Sequence, residues 1–233
     1  WGNPQYNWDA MKAENYAWWK RRFRKLREQV DIIRIDHFRA FESYWSVDGK
    51  AETAINGHWI KGPGKPFFDE IERELGEMNI VAEDLGIITS EVERLRDDCG
   101  FPGMKIVHFM LEPNESGRVG FVTPENSIVY TGTHDNNTTV GWFTHDIDEV
   151  LRETLANLMG TTSDRPKTIC KRLIKAAYAS RARMAIIPMQ DLLGLDERAR
   201  MNTPGTVGIN WRWSLKKDYL LELDSKKLKA LCV

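Results

Sequence analysis

The chain has 233 residues, with 33 Lys and Arg against 34 Asp and Glu and a formal net charge of -1, so it lacks the basic excess that neutralises nucleic-acid phosphates. Hydrophobic residues at 42% and charged residues at 29% are ordinary for a folded globular protein, and no apolar run approaches the roughly 18 to 20 residues that span a bilayer. Cys99, Cys170 and Cys232 stand far apart with no C-x-x-C pair, which argues against a disulfide scaffold or an ordinarily spaced zinc site and sets a reducing, cytoplasmic compartment as the expectation.

The opening Trp1-Gly2-Asn3-Pro4 shows no initiator Met, no charged n-region and no apolar h-region, and the expectation is a chain that starts inside something larger. Residues 9–30 read as an amphipathic helix, whose basic run Lys20 to Arg27 is expected to be a solvated face. A short apolar strand follows over 31–36, then a Gly- and Asn-rich loop over 46–65, a helix over 67–78 and a strand over 79–83. Ser90-x-x-Glu93 predicts a capping box at the start of a helix over 90–99, and Gly100 its C′ residue. A third strand is expected over 104–109, a second long loop over 112–126 and a fourth strand over 127–131. Helices over 147–159 and 166–183, the latter with Pro166 in its first turn, lead to a fifth strand over 184–188.

Strand alternating with helix means a parallel sheet. The runs end in Arg34 and Asp36, in Glu83 and Asp84, near His108, in His134-Asp135 and in Gln190-Asp191. Polar chemistry at the carboxyl ends of successive parallel strands is where a (β/α)8 TIM-type barrel keeps its active site, whereas an open doubly wound sheet uses only its switch point. A barrel needs eight strands in roughly 250 residues. The expectation is therefore an α/β fold of about five strand-helix units, with residues 1–233 forming the C-terminal part of a catalytic barrel. The N-terminal strands would be absent from this chain and supplied by the rest of the polypeptide or by another chain, because an unclosed sheet leaves two unpaired edges.

Asp36, Glu83 and Asp135 are spaced so that one or two strand-helix units fit between each pair. Paired carboxylates suit glycosidic chemistry, one ionised to attack the anomeric carbon and one protonated to release the departing oxygen. Arg34 falls on the same strand face as Asp36 and would keep it ionised; a buried structural ion pair is the alternative. Glu83 emerges from the apolar Val81-Ala82, where desolvation favours the protonated acid; a helix cap is its alternative. His134-Asp135-Asn136-Asn137 offers donors and acceptors for vicinal hydroxyls, or simply builds a turn. The nine Trp residues supply flat apolar faces for packing and for sugars. No P-loop, G-x-G-x-x-G, zinc-spaced His pair or G-x-S-x-G elbow is found.

At these residues the chain resembles the 4-α-glucanotransferases (amylomaltase or disproportionating enzyme, glycoside hydrolase family 77). The matching stretches are Trp1-Gly-Asn-Pro-Gln-Tyr-Asn-Trp8, Arg34-Ile-Asp-His-Phe-Arg39, Ala82-Glu-Asp-Leu-Gly86, Phe101-Pro-Gly-Met-Lys105, Tyr130-Thr-Gly-Thr-His-Asp-Asn-Asn137 and Ala199-Arg-Met-Asn-Thr-Pro-Gly205. They run in the family's order to about Trp213, and no stretch within residues 216–233 carries the resemblance. The resemblance implies Asp36 as nucleophile, Glu83 as general acid/base and Asp135 as the third carboxylate. It implies Arg34 and His134 around the reacting carbon, Trp8, Asp84 and Asn202 as further substrate contacts, and no obligatory metal or organic cofactor. The implied partner is an α-1,4-glucan, without nucleic acid or membrane, in a cytoplasm or alternatively a plastid. The rivals are an amylase-like hydrolase and an inactive or merely glucan-binding fragment. The segment around Gly57-His-Trp-Ile60 is expected to exclude water and favour transfer.

Overall fold

The computed structural model describes residues 3–111, 120, 122–223 and 225–230. Trp1, Gly2 and Cys232, and most of the loop expected over 112–126, lie outside the described residues. The chain divides into two compact units, Trp1–Met104 and Lys105–Val233.

In the first unit the expected long helix is two. Helix α1 (Trp8–Ala13) ends before Asn15 and Tyr16, which take left-handed backbone at φ 54° and 53°, and α2 (Ala17–Arg27) then starts afresh. No Gly or Pro marks this break, so the apolar period reads straight through it. The basic run is not a wholly solvated face either. Lys20 is only 3% exposed and reaches Glu70 at 2.5 Å and Glu74 at 2.8 Å, because its position on α2 faces α3 (Gly64–Leu75) rather than water.

Strand β1 (Ile33–Ile35) pairs in parallel with β4 (Ile80–Ala82) through Ile33↔Ile80, Arg34↔Val81 and Ile35↔Ala82, and β4 pairs with β5 (Gly103–Ile106) at Ala82↔Gly103. The apolar residues Phe67, Phe68 and Ile71 of α3 are buried together with Phe23, Phe38, Ile80 and Val92. Spaced at helical intervals, they give α3 the single apolar face that covers the strands. Phe67 is fully buried, and its ring lies within 6.3 Å of those of Trp8, Tyr16, Trp19, Phe23, Phe41 and Phe68.

Helix α4 (Ser90–Asp98) has Thr89, not Ser90, at its N-cap, and no side-chain cap bond forms. The Ser90 hydroxyl turns instead to Glu91, so the expected capping box is not made. The C-terminus is as expected: Gly100 adopts φ 69°, its amide donates to Asp97 O at 2.9 Å, and the Phe101 amide donates to Arg96 O at 3.1 Å. These two bonds form a Schellman motif.

The segment read as a loop over 46–65 contains a hairpin. Strands β2 (Ser43–Val47) and β3 (Gly57–Lys61) pair antiparallel with Trp45 opposite Trp59, and their rings meet edge to face at 5.3 Å. The Gly, Asn, Pro and Ser content of residues 46–65 hid two aromatic-rich strands, and cross-strand aromatic pairing is what stabilises them. A Cβ at Gly57 would stand 2.5 Å from Ser46 O, so only Gly fits there.

In the second unit the third expected strand stops at Ile106, and α5 (Val107–Met110) turns helical with His108 buried. Strand β6 (Ser127–Tyr130) pairs in parallel with β7 (Met184–Ile186), from Ile128↔Met184 to Tyr130↔Ile186. Helix α6 (Thr139–Gly141) runs into a π-helical turn over Trp142–Asp146. Helix α7 (Glu149–Leu158) is capped by Asp148, and α8 (Pro166–Tyr178) carries Pro166 in its first turn, as expected, but ends five residues earlier than read. Leu155, Ile169, Leu173, Phe143 and Val129 form the core. Short helices α9 (Met189–Leu192), α10 (Lys217–Glu222) and α11 (Ser225–Lys229) complete the unit. No helix among the described residues is long and apolar enough to cross a membrane.

Candidate active site

Asp36 and Glu83 directly follow the paired residues Ile35 and Ala82, so the parallel register brings them to neighbouring strand ends, where strands lie about 4.8 Å apart. The ladder continues past the strands themselves. The Glu83 amide donates to Ile35 O at 2.9 Å, and the Phe38 amide donates to Glu83 O at 3.1 Å. Between them His37 takes a left-handed backbone, φ 51°, which is uncommon outside glycine. That turn aims the His37 amide at Glu83 Oε2, 2.7 Å away, while the Leu85 amide donates to Oε1 at 3.0 Å. Two main-chain amides thus fix the Glu83 carboxyl.

Asp36 is three-quarters exposed, and its Oδ1 lies 2.7 Å from Arg34 Nη1. The expected pairing on one strand face is present, and it is not a buried ion pair. Arg34 Nε in turn donates to Met104 Sδ at 3.3 Å.

Asp84 points the other way. Its carboxylate is buried, bound to Arg96 Nη1 at 2.5 Å and to the Met104 amide at 2.7 Å. A Cβ on Gly103 would run into it, which explains the Gly of Phe101-Pro-Gly-Met-Lys105. Trp8 is half-buried and packs its ring against Trp19, Phe41 and Phe67.

In the second unit, His134 and Asp135 are exposed on the turn after β6. The neighbouring asparagines build that turn rather than face out. Asn136 Oδ1 accepts from Thr133 N and Oγ1, both at 2.8 Å, and the Asn137 amide donates to Asp146. Residues 200–202 hold the turn from outside. Asn202 Nδ2 donates to Asp135 Oδ1 at 2.6 Å and its main-chain N to His134 O at 3.0 Å, while Arg200 Nη2 donates to Asp135 O at 2.6 Å. The ring of Trp211 lies 5.3 Å from that of His134. Arg200 and Trp211 carried no local sequence signal; Arg200 stood within the Ala199-Arg-Met-Asn stretch without a role.

Gln190 and Asp191, expected among the chemical groups at strand ends, are both buried. Asp191 accepts from Thr131 Oγ1 at 2.5 Å and from Thr139 N and Oγ1, each at 2.7 Å. The single hydroxyl proton of Thr139 goes to Asp191, so His108 Nε2, 3.0 Å from that hydroxyl, carries its own proton and donates it. Burial pushes His108 down to about 3 and raises Asp191 above the usual carboxylate range. Asp191 braces the base of the Asp135 turn through Thr131.

The 4-alpha-glucanotransferase family, glycoside hydrolase family 77, matches residues 1–220. The 4-alpha-glucanotransferase of Streptococcus pneumoniae serotype 4 is 48% identical over 221 residues, covering 94% of this chain and 43% of that protein. The chloroplastic/amyloplastic 4-alpha-glucanotransferase of Solanum tuberosum is 41% identical over 99% of this chain and 40% of its own length. Among solved structures, amylomaltase from Streptococcus agalactiae in complex with acarbose superposes with a TM-score of 0.88 at 37% identity, over 100% of this chain and 46% of that one. The chain thus spans less than half the length of the curated relatives it matches. On the extent of these matches, and with the motif residues placed as described, the chain belongs to the 4-alpha-glucanotransferase family, glycoside hydrolase family 77.

Proposed function

We propose that this chain supplies the catalytic carboxylates of a 4-α-glucanotransferase, which moves α-1,4-linked glucan segments between maltooligosaccharide or starch chains by retaining double displacement. One observation carries the reading: Asp36 and Glu83 end adjacent, hydrogen-bonded parallel strands in register. Neighbouring strand ends allow the two carboxyls the roughly 5 Å separation of a retaining pair.

In the first displacement an Asp36 oxygen forms a bond to the anomeric carbon. The glycosidic bond breaks, and Glu83 gives its proton to the departing glucan oxygen. In the second, Glu83 takes the proton of an incoming 4-hydroxyl, that oxygen bonds to the anomeric carbon, and the Asp36 ester breaks. The amide contacts to both Glu83 oxygens hold the carboxyl in place for both proton transfers. Arg34 holds Asp36, and Asp135 with His134 and Asn202 takes the sugar hydroxyls. For Asp84 and Trp8 the contacts support positioning: Asp84 anchors the segment after Glu83, and Trp8 the core beneath.

The architecture we infer is part of a (β/α)8 barrel, supported by the parallel strands with polar ends and by the likeness to amylomaltase. The remaining strands come from the rest of a longer polypeptide or from another chain. No metal or nucleic acid enters the reading. Matches to bacterial and plastid relatives support a cytoplasmic or a plastid setting.

With maltotriose as substrate, transfer releases glucose and longer maltooligosaccharides while total reducing ends stay constant; an amylase-like hydrolase would raise them. With the complementary part of such a relative added, Asp36→Asn and Glu83→Gln should each remove glucose release while leaving glucan binding intact. Activity unaffected by Asp36→Asn would reject the assignment.

A further inference from the structure

Trp211 is the one tryptophan among the described residues with left-handed backbone, φ 61°. Its neighbours hold it there. The Trp211 amide donates to Met201 O at 2.7 Å, and Asn210 closes the loop by accepting from Thr203 N at 3.0 Å and donating to Thr206 O at 3.0 Å. A bulky residue in this backbone region is strained, and folded proteins keep such strain where the surroundings impose it and where function uses it.

Burial does not offset the strain, because Trp211 is 62% exposed. The ring is instead tilted at 35° beside His134, next to the turn that carries Asp135. The segment that sets it is also the one that clamps Asp135 through Arg200 and Asn202. An exposed flat apolar face thus stands beside a cluster of hydroxyl-binding groups. A pyranose ring of an α-glucan has matching chemistry: one face of C–H bonds to lie on the indole, and edges of hydroxyls for His134, Asp135 and Asn202.

We propose that Trp211 is a glucan-binding residue, on which one glucose ring of an α-1,4-glucan stacks while its hydroxyls reach the His134–Asp135 turn. This deepens the reading given under Proposed function and rests on it. The left-handed backbone supplies a discriminating variant, since Gly adopts that conformation freely. Trp211→Gly keeps the loop path and removes only the ring.

The test titrates maltoheptaose, with cellohexaose as the β-linked control, into the full chain carrying 15N-labelled indoles, the Trp211 signal being assigned by Trp211→Phe. The Trp211 signal should shift saturably with maltoheptaose and stay still with cellohexaose. Trp211→Gly should weaken maltoheptaose binding at least fivefold at an unchanged or higher melting temperature, and Trp211→Phe should weaken it less. Binding reported by other signals with Trp211 unmoved, or an unchanged dissociation constant in Trp211→Gly, overturns the role of Trp211 and leaves the family reading standing. No maltoheptaose binding at any signal, with the complementary part of a family relative also present, overturns both.

Discussion

Asp36 is presented to solvent with one cation beside it, so its reactivity depends on Arg34 more than on burial. Arg34→Ala should lower the rate of glucose release from maltotriose about 100-fold, the order expected when one stabilising group is removed from a charged reacting centre; a loss under threefold would exclude that dependence. Far from the site, the Arg73 and Lys20 contacts hold the Glu70 carboxyl down to about 2. A depressed acid stabilises above its ordinary value near 4.5 and loses that contribution as pH falls toward 2. Glu70→Gln should therefore flatten the fall of melting temperature across that window, and an unchanged slope would contradict it. His108 acts in the same sense at higher pH. Neutral in the fold and protonated when unfolded, it destabilises progressively below about 6.5, and Asp191 is bound to the same Thr139 hydroxyl. The sequence made Asp36, Glu83 and Arg34 legible because residue spacing along a strand fixes which side chains share a face. It did not show that Asn136 and Asn137 build the turn on which Asp135 faces out, nor that Asp84 is buried away from Glu83, because those arrangements are set by contacts with Thr133, Asp146, Arg96 and Met104.

The strands of both units were legible as short β-branched runs, and the Schellman end of α4 as a single Gly. The break between α1 and α2 was not, because Asn15 and Tyr16 carry left-handed backbone without a Gly or Pro to announce it. The β2–β3 hairpin was hidden for a related reason: its long connection between Val47 and Gly57 replaces the short turn that usually marks one. This hairpin is tied to the segment after β1 by Arg39, which lies two residues past His37 and stacks its guanidinium 4.2 Å over the Trp59 ring. Shortening the connection so that the Trp45–Trp59 pair is lost should raise the ratio of hydrolysis to transfer, read as new reducing ends per glucose released; an unchanged ratio would reject a water-excluding part for the hairpin. Packing sets the cost elsewhere. Phe67→Ala should cost about 3–5 kcal/mol in chemical unfolding, since the ring is fully buried among aromatics that cannot collapse into the space.

At the scale of the molecule, Met184 and Ile186 of β7 are each 40% exposed, an unusual state for residues of a parallel strand, whose faces are ordinarily covered. A chain spanning under half of its relatives' length and exposing apolar strand residues is expected to bind the complementary part of such a relative. Mixing the two polypeptides should restore glucose release and yield a 1:1 species on sizing, whereas a compact, cooperatively melting monomer indifferent to that addition would contradict the shared barrel. The central claim is the partnership of Asp36 and Glu83, and trapping tests it most directly. In Glu83→Gln, α-maltotriosyl fluoride needs no acid to lose fluoride, yet the resulting ester lacks the base that would clear it. Intact-mass and peptide analysis of the complemented protein should find one maltotriosyl unit on Asp36, abolished by adding Asp36→Asn; sugar attached to another residue, or persisting in the double variant, would contradict the account.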